Sequence, residues 1–369
     1  MPILSLYQYQ KYMIQVKFNT QSQPFFQALR TRTDQYFKTH QISTKGDARL
    51  YWKTAILSIS FITLYIILVF LNPQITWVNL ILCAMLGANF AAIGFNMMHD
   101  GAHGSYSDNK FLNETMGFTL NIMGGNMYVW KQKHNENHHT FTNVEGFDDD
   151  INLKPFLRMH ESQEKLWIHR YQHLYGVFMY GMSLMFWVFY QDFKRYFSGQ
   201  IADNTLMRKM KRPDHFIFWS SKFLHLFLFI IVPMYTVGFW SAIIGYITMS
   251  YVCGIILGIV FQMAHVVEPT SFVAPTKGIE NIEDEWAVHQ IKTTFDFATK
   301  SKLVSWLLGG LNFQVEHHLF PRVSHVHYPA LRKIVRDTCD EFSIRYHEFP
   351  TVLKAFRSHL TYLRTIGRA

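Results

Sequence analysis

TWVNLILCAMLGANFAAIGFNMMHDGAH, residues 76–103, carries no charged side chain before Asp100 and closes on two histidines four positions apart. At about 1.5 Å per residue, the apolar run 76–98 spans a hydrocarbon core of about 30 Å. A helix that continues past Met98 projects His99 and His103 from one face, the spacing that two ligands to one metal require. Alone, such a pair arises often by chance. Its weight comes from what surrounds it.

A second apolar run, 54–71 (TAILSISFITLYIILVFL), precedes it across the link NPQI. Another pair follows at 216–237 and 240–263, joined around Gly238 and Trp240, with Trp219 and Trp240 placed for an interfacial belt. The chain therefore reads as an all-α membrane protein, with four transmembrane helices in two hairpins. Interfacial helices and a cytoplasmic helical domain rich in histidine complete it. Composition agrees: apolar residues make up 49% of 369 and charged ones 17%, against about 25% in soluble proteins.

The net charge of +9 raises the question of nucleic acid. The distribution of the charge argues against it. No Lys or Arg occurs between Lys53 and Lys110 or between Lys222 and Lys277, the partition a bilayer imposes. The short turns carry no basic residue, so the N-terminus, the middle loop and the C-terminal region all face the cytoplasm. The expected organisation is a cytoplasmic segment at 1–53, a first hairpin at 54–98 and a cytoplasmic region at 99–215. A second hairpin at 216–263 and a cytoplasmic region at 264–369 follow. Nothing at the N-terminus resembles a cleaved signal, and the first apolar run is expected to stay as an anchor. Cys83 and Cys253 sit in apolar stretches as small hydrophobes.

Two segments are ambiguous. Residues 174–190 (LYGVFMYGMSLMFWVFY) would form a fifth crossing, putting the later histidines on the wrong side, and are expected to be interfacial or re-entrant. Residues 115–130 contain Gly124 and Gly125, which disfavour a continuous membrane helix.

Nineteen histidines are clustered rather than scattered. In HNENHH, His134 shares a helix face with His138, while His139 points about 100° away, so the neighbours can serve different metal ions. QVEHH ends in His317 and His318, which diverge in the same way. His265, in FQMAHVVE, stands at the cytoplasmic end of the last apolar helix, where an ionisable side chain is a functional candidate. If both hairpins return to one face, eight imidazoles converge. That is too many for one four-coordinate zinc but suits two six-coordinate first-row metals, with iron the economical choice.

At these residues the chain resembles the membrane fatty acid desaturases, defined by boxes of the forms HxxxH, HxxxHH and QxxHH. The likeness covers nearly the whole chain and includes HDGAH, HNENHHTFTN, EWAVHQIKTTFDFA, LNFQVEHHLFP and HYPALRKIVRDTC. It implies that His99, His103, His134, His138, His139, His317 and His318 ligate two iron ions, with His265 as the extra ligand from the last membrane helix. Glutamine at Gln314, where other relatives carry a histidine ligand, resembles the front-end subgroup, which adds a double bond between an existing one and the carboxyl end. Bacterial linoleoyl-CoA and acyl-CoA desaturases are similar.

The resemblance implies an oxygen-dependent enzyme that uses O2 as co-substrate on a fatty acyl-CoA or acyl-lipid in a bacterial inner membrane. No fused haem domain with an HPGG signature occurs in the first 50 residues, so electrons are expected from a ferredoxin or b-type cytochrome with its reductase. Asp100 is the first choice to orient a ligand imidazole, ahead of Glu136, Glu316 and Asp148 to Asp150. His289 is a reserve ligand or supporting residue. Trp130, Lys131 and Lys133 are candidates to hold a carrier or headgroup. The stretch 328–346 fits an amphipathic helix. A hydroxylase on the same scaffold is the alternative; a metal transporter is disfavoured because its ligands belong at mid-membrane.

Overall fold

The computed structural model describes residues 14–21, 23–275 and 279–369, and is all-α apart from three two-stranded pairings. Its main helices are α1 (Pro24–His40), α2 (Ala48–Leu71), α3 (Thr76–His103), α4 (Lys110–Ile122), α5 (Met127–Lys131) and α6 (Gln172–Phe186). They continue with α7 (Arg212–Val237), α8 (Phe239–His265), α9 (Trp286–Thr293), α10 (Gln314–Leu319), α11 (Tyr328–Glu341) and α12 (Val352–Ile366).

Four of these, α2, α3, α7 and α8, are long and apolar enough to cross a membrane. Their most apolar windows are only 11–44% buried within the protein, and side chains such as Ile59 and Phe70 face outward. Apolar surface of that extent needs lipid to cover it. The two turns are tight. Asn72 and Gln74 adopt positive φ between α2 and α3, and Gly238 has φ 89° between α7 and α8, a conformation that favours glycine.

The membrane helices differ from expectation at their ends. α2 starts six residues early because Asp47 accepts the backbone N–H of Arg49 as an N-cap. Lys53 consequently lies inside the helix and buried. Its amine reaches Asn96 Oδ1 at 2.8 Å and His325 Nε2 at 3.0 Å. α3 runs on past Met98, through a π-helical turn at Gly94–Met98, and stops at Gly104 with φ 70°. Such a turn widens the helix just before the first box.

The hairpins dock backbone to backbone. A Cβ on Gly87 of α3 would fall 2.2 Å from the Met249 carbonyl oxygen of α8, so only glycine permits this approach. The ends of α3 and α8, carrying His99 and His265, are brought together by that contact.

The segment read as 174–190 is longer than expected. From Gln172 it continues through a π turn at Trp187–Gln191 and ends at Ser198. One face packs on α8, where Gly254 meets the Gly181 carbonyl, while Leu174, Phe178, Phe186 and Tyr190 point outward. It is not among the four helices that meet the length and hydropathy of a crossing. The 115–130 segment breaks at Gly124, as its glycines suggest, into α4 and α5.

The remaining helices close over the histidine end of the bundle. α11 is amphipathic as expected and rests on α1, where Arg32 donates to Thr338 Oγ1 at 2.8 Å. α12 packs on α6 and α8, with Tyr180 and His359 in a 2.8 Å hydrogen bond. Parallel pairs of short strands, Gln15–Phe18 with Ile279–Ile282 and Asp296–Phe297 with Glu348–Phe349, tie the loops.

Candidate metal centre

Four chain elements bring imidazoles into one buried cluster: the end of α3, the π extension of α5, the end of α8, and α10. His99, His103, His134 and His317 form one group and His138, His265 and His318 a second, each with ligand atoms within 4.8 Å of one another. His139 joins His317 and His318 in a third. The centre thus has two lobes, with His317 and His139 between them.

A π-helical turn over Gln132–His138 shapes the second box. In such a turn the i and i+5 positions align, so the His139 N–H bonds the His134 carbonyl at 3.1 Å. His134 Nε2 then lies 3.3 Å from His139 Nε2, and equally far from His99 Nε2. The 100° step of an α-helix gives His138 as the partner of His134; their rings do stack, but the nearest nitrogen approach is to His139.

Buried nitrogens without partners test whether this donor set fits a metal. His103 Nε2, His138 Nε2, His317 Nε2, His318 Nε2 and His139 Nδ1 are all buried with no hydrogen bond. Leaving so many polar atoms unsatisfied costs about 1–3 kcal/mol each. Bound cations would satisfy them together, and imidazole is a natural ligand for first-row metals.

Outer contacts hold several rings with Nε2 inward. His138 Nδ1 donates to Asp148 Oδ2 at 3.0 Å, His318 Nδ1 to Gln290 Oε1 at 2.9 Å, and His265 Nδ1 to the Thr293 carbonyl at 3.2 Å. The Tyr328 hydroxyl contacts His317 Nδ1 at 3.1 Å. Thr142 Oγ1 links Gln290 to the carbonyl of His138.

Electrostatics favour neutral, ligating imidazoles. Burial holds His134, His139, His317 and His318 well below the ordinary histidine value. His138 is the exception: burial lowers it, but Asp148 and Asp150 together outweigh that and leave it raised.

Residues 75–350 match the family model described as fatty acid desaturase. An sn-1 linoleoyl-lipid 6-desaturase of Arthrospira platensis is 35% identical, over 93% of this chain and 92% of its own. A protein of the same description from Synechocystis sp. is 34% identical over 96% and 98%. An acyl-lipid (8-3)-desaturase of Physcomitrium patens is 33% identical over 95% of this chain and 73% of its own. The chain belongs to the fatty acid desaturase family. It is a membrane oxidoreductase of lipid metabolism that desaturates fatty acyl chains with O2, and the hydroxylase alternative is not favoured.

A cavity of about 490 Å³ runs along this desaturase's cluster, touching His99, His134 and Gln314. Its long walls are apolar, from Leu120 and Met123 to Leu184 and Val260. At its polar rim Lys133 pairs with Asp150, Arg195 with Asp149, and Lys154 with Glu145.

Other candidates sit differently from expectation. Asp100 does not orient a box imidazole: its carboxylate takes Ser324 Oγ at 2.7 Å and lies 3.0 Å from His325 Nδ1. Asp148 holds that position instead, since the π turn swings His138 toward the 148–150 loop. Gln314 Nε2 lies 2.9 Å from His265 Nε2. His289 points away from the cluster and bonds the Thr142 carbonyl at 2.8 Å. Glu136 pairs with Arg208 at the surface, and Glu316 lies against Tyr346 beside Asp296. Trp130 is buried and stacks on His134 at 4.4 Å, so it cannot serve a headgroup in solvent, and Lys131 does not line the cavity and takes no part in holding the substrate. Gln290, Thr142, Thr293 and Tyr328 went unnoticed as supports, though EWAVHQ and HYPALRK contain two of them.

Proposed function

We propose that His99, His103, His134, His138, His139, His265, His317 and His318 hold two iron ions beside the acyl cavity. The enzyme then acts as a front-end desaturase on a linoleoyl-type chain of a membrane lipid. The cavity carries this reading, because it is apolar, of ligand size, and passes His99 and His134. Iron would supply the oxygen chemistry that removes two hydrogens from an unactivated chain, beyond the reach of any side chain.

The protein's own part is positioning. Asp148, Gln290, the Thr293 carbonyl and Tyr328 fix the rings, and the cavity walls set which carbons lie against them. Gln314 is assigned to support His265 from the third box. The acyl-lipid names of the relatives favour a lipid carrier over acyl-CoA. Paired charges at the cavity rim agree, since the phosphates of coenzyme A call for unpaired cations.

The histidine face is assigned to the cytoplasmic side of an inner membrane, from the basic residues that flank both hairpins. Electrons come from a ferredoxin or a b-type cytochrome with its reductase. The chain is assigned five segments in order: a cytoplasmic N-terminal segment, a first hairpin, a cytoplasmic region with the second box, a second hairpin and a cytoplasmic region with the third box. The hairpins are bounded by the helices Ala48–His103 and Arg212–His265.

Expression in a host fed linoleate, followed by gas chromatography and iron analysis, tests the reading. A new olefin on the carboxyl side of the existing bonds, with about two irons per chain, supports it. A hydroxy acid, or purified protein without iron, overturns it.

A further inference from the structure

Electrons must reach a cluster that is closed on nearly every side. Of the eight histidines, seven are at most 7% exposed, and His103 alone is partly open to solvent. Asp148, Gln290, Thr293 and Tyr328, which touch the other rings, are buried as well. The edge of His103 is therefore where a partner's redox group can come closest.

Cations surround that edge. Lys45 Nζ donates to the carbonyl of Gly104, the next residue, at 2.8 Å and to that of Arg322 at 3.3 Å. Arg322 joins the same patch through that carbonyl, and Lys131 follows Trp130, whose ring centroid lies 6.0 Å from that of His103. Among the described residues none of the three has a carboxylate partner within 4.0 Å, whereas the basic residues at the cavity rim are all paired. Glu114 sits by Lys110 at 3.9 Å. Unpaired cations around a recessed redox site attract and orient an acidic carrier.

We propose that His103, rimmed by Lys45, Lys131 and Arg322, is the electron inlet, and that its occupant is an acidic one-electron carrier protein. Each encounter oxidises one reduced carrier and passes one electron to the centre; no covalent bond of the protein changes. The inference rests on the metal reading above. The competing route is Trp286, partly exposed, whose indole N–H donates to the His139 carbonyl at 3.0 Å.

The test uses purified full-length enzyme with a [2Fe–2S] ferredoxin and, separately, a soluble b-type cytochrome. In the double variant Lys131→Glu/Arg322→Glu, carrier reoxidation falls severalfold and loses its salt dependence, while dithionite-driven turnover and iron content stay unchanged. Binding of oxidised carrier to iron-free protein weakens in parallel. Trp286→Phe retains the carrier-driven rate. Unchanged carrier reoxidation in the double variant, an equal loss with dithionite, loss confined to Trp286→Phe, or a wild type that accepts electrons from neither carrier overturns the proposal. A wild type without iron instead defeats the metal reading and is told apart by metal analysis.

Discussion

His134 and His139 face each other through their Nε2 atoms at 3.3 Å, across a π-helical turn that aligns residues five apart. Two imidazoles with converging, buried nitrogens would be stabilised by a bound cation. His139→Ala is expected to lose at least one of the two proposed irons and all desaturation, while the fold persists. Metal analysis alongside circular dichroism checks this; full iron content in the variant would contradict it.

Asp148 holds His138 through Nδ1 at 3.0 Å, with both groups buried. Asp148→Asn keeps the shape but weakens the acceptor. Metal affinity or activity is expected to fall by about 10–100-fold, as for other outer partners of metal-bound histidine. Competition with a chelator provides the measurement, and Asp100→Asn, which touches no box imidazole, is the comparison.

Acid should destabilise the metal-free protein. Burial lowers His134, His139, His317 and His318, so the folded chain keeps them neutral while the unfolded chain protonates them near pH 6.5. Their contribution to stability is complete above that value and is lost as pH falls toward the depressed folded values. His138, raised by Asp148, acts in the opposite sense and offsets part of the loss. Thermal unfolding of metal-free protein between pH 8 and pH 5 should show a falling midpoint below about 6.5; a flat profile would refute the assignment.

Lys222 of α7 and Asp192 form a buried pair at 2.7 Å, and Lys222 also donates to the Gly124 carbonyl at 2.5 Å. Removing Lys222 leaves Asp192 with the Trp187 indole N–H at 2.9 Å and Arg195 at 4.0 Å, so the cost falls short of the roughly 3–5 kcal/mol of a wholly unpaired buried charge. Lys222→Met should therefore lower thermal stability measurably, and a second change, Asp192→Leu, should recover part of it. Unfolding in detergent decides between the outcomes.

The hairpins and the boxes were legible because they rest on short-range regularities: apolar run length, absence of charge and histidine spacing. Lys53 misled the reading of α2, since a lysine inside an apolar helix looks like its edge unless Asn96 and His325 are known to meet it. Asp100 misled for a related reason. Its place beside His99 suggested service to the ring, whereas its partners lie more than two hundred residues away at Ser324 and His325. The π turn at Gln132–His138 left no mark in local propensity, so the pairing of His134 with His139 could not be counted from a 3.6-residue period.

The cluster takes its first imidazole from His99 and its last from His318, with the second hairpin of membrane helices between them. A nascent chain therefore carries its early boxes through translation and membrane insertion with one wall missing. Until His317 and His318 have left the ribosome and α10 has docked, neither lobe is complete. Metal, on the proposed reading, would be taken up only once the third box is in place.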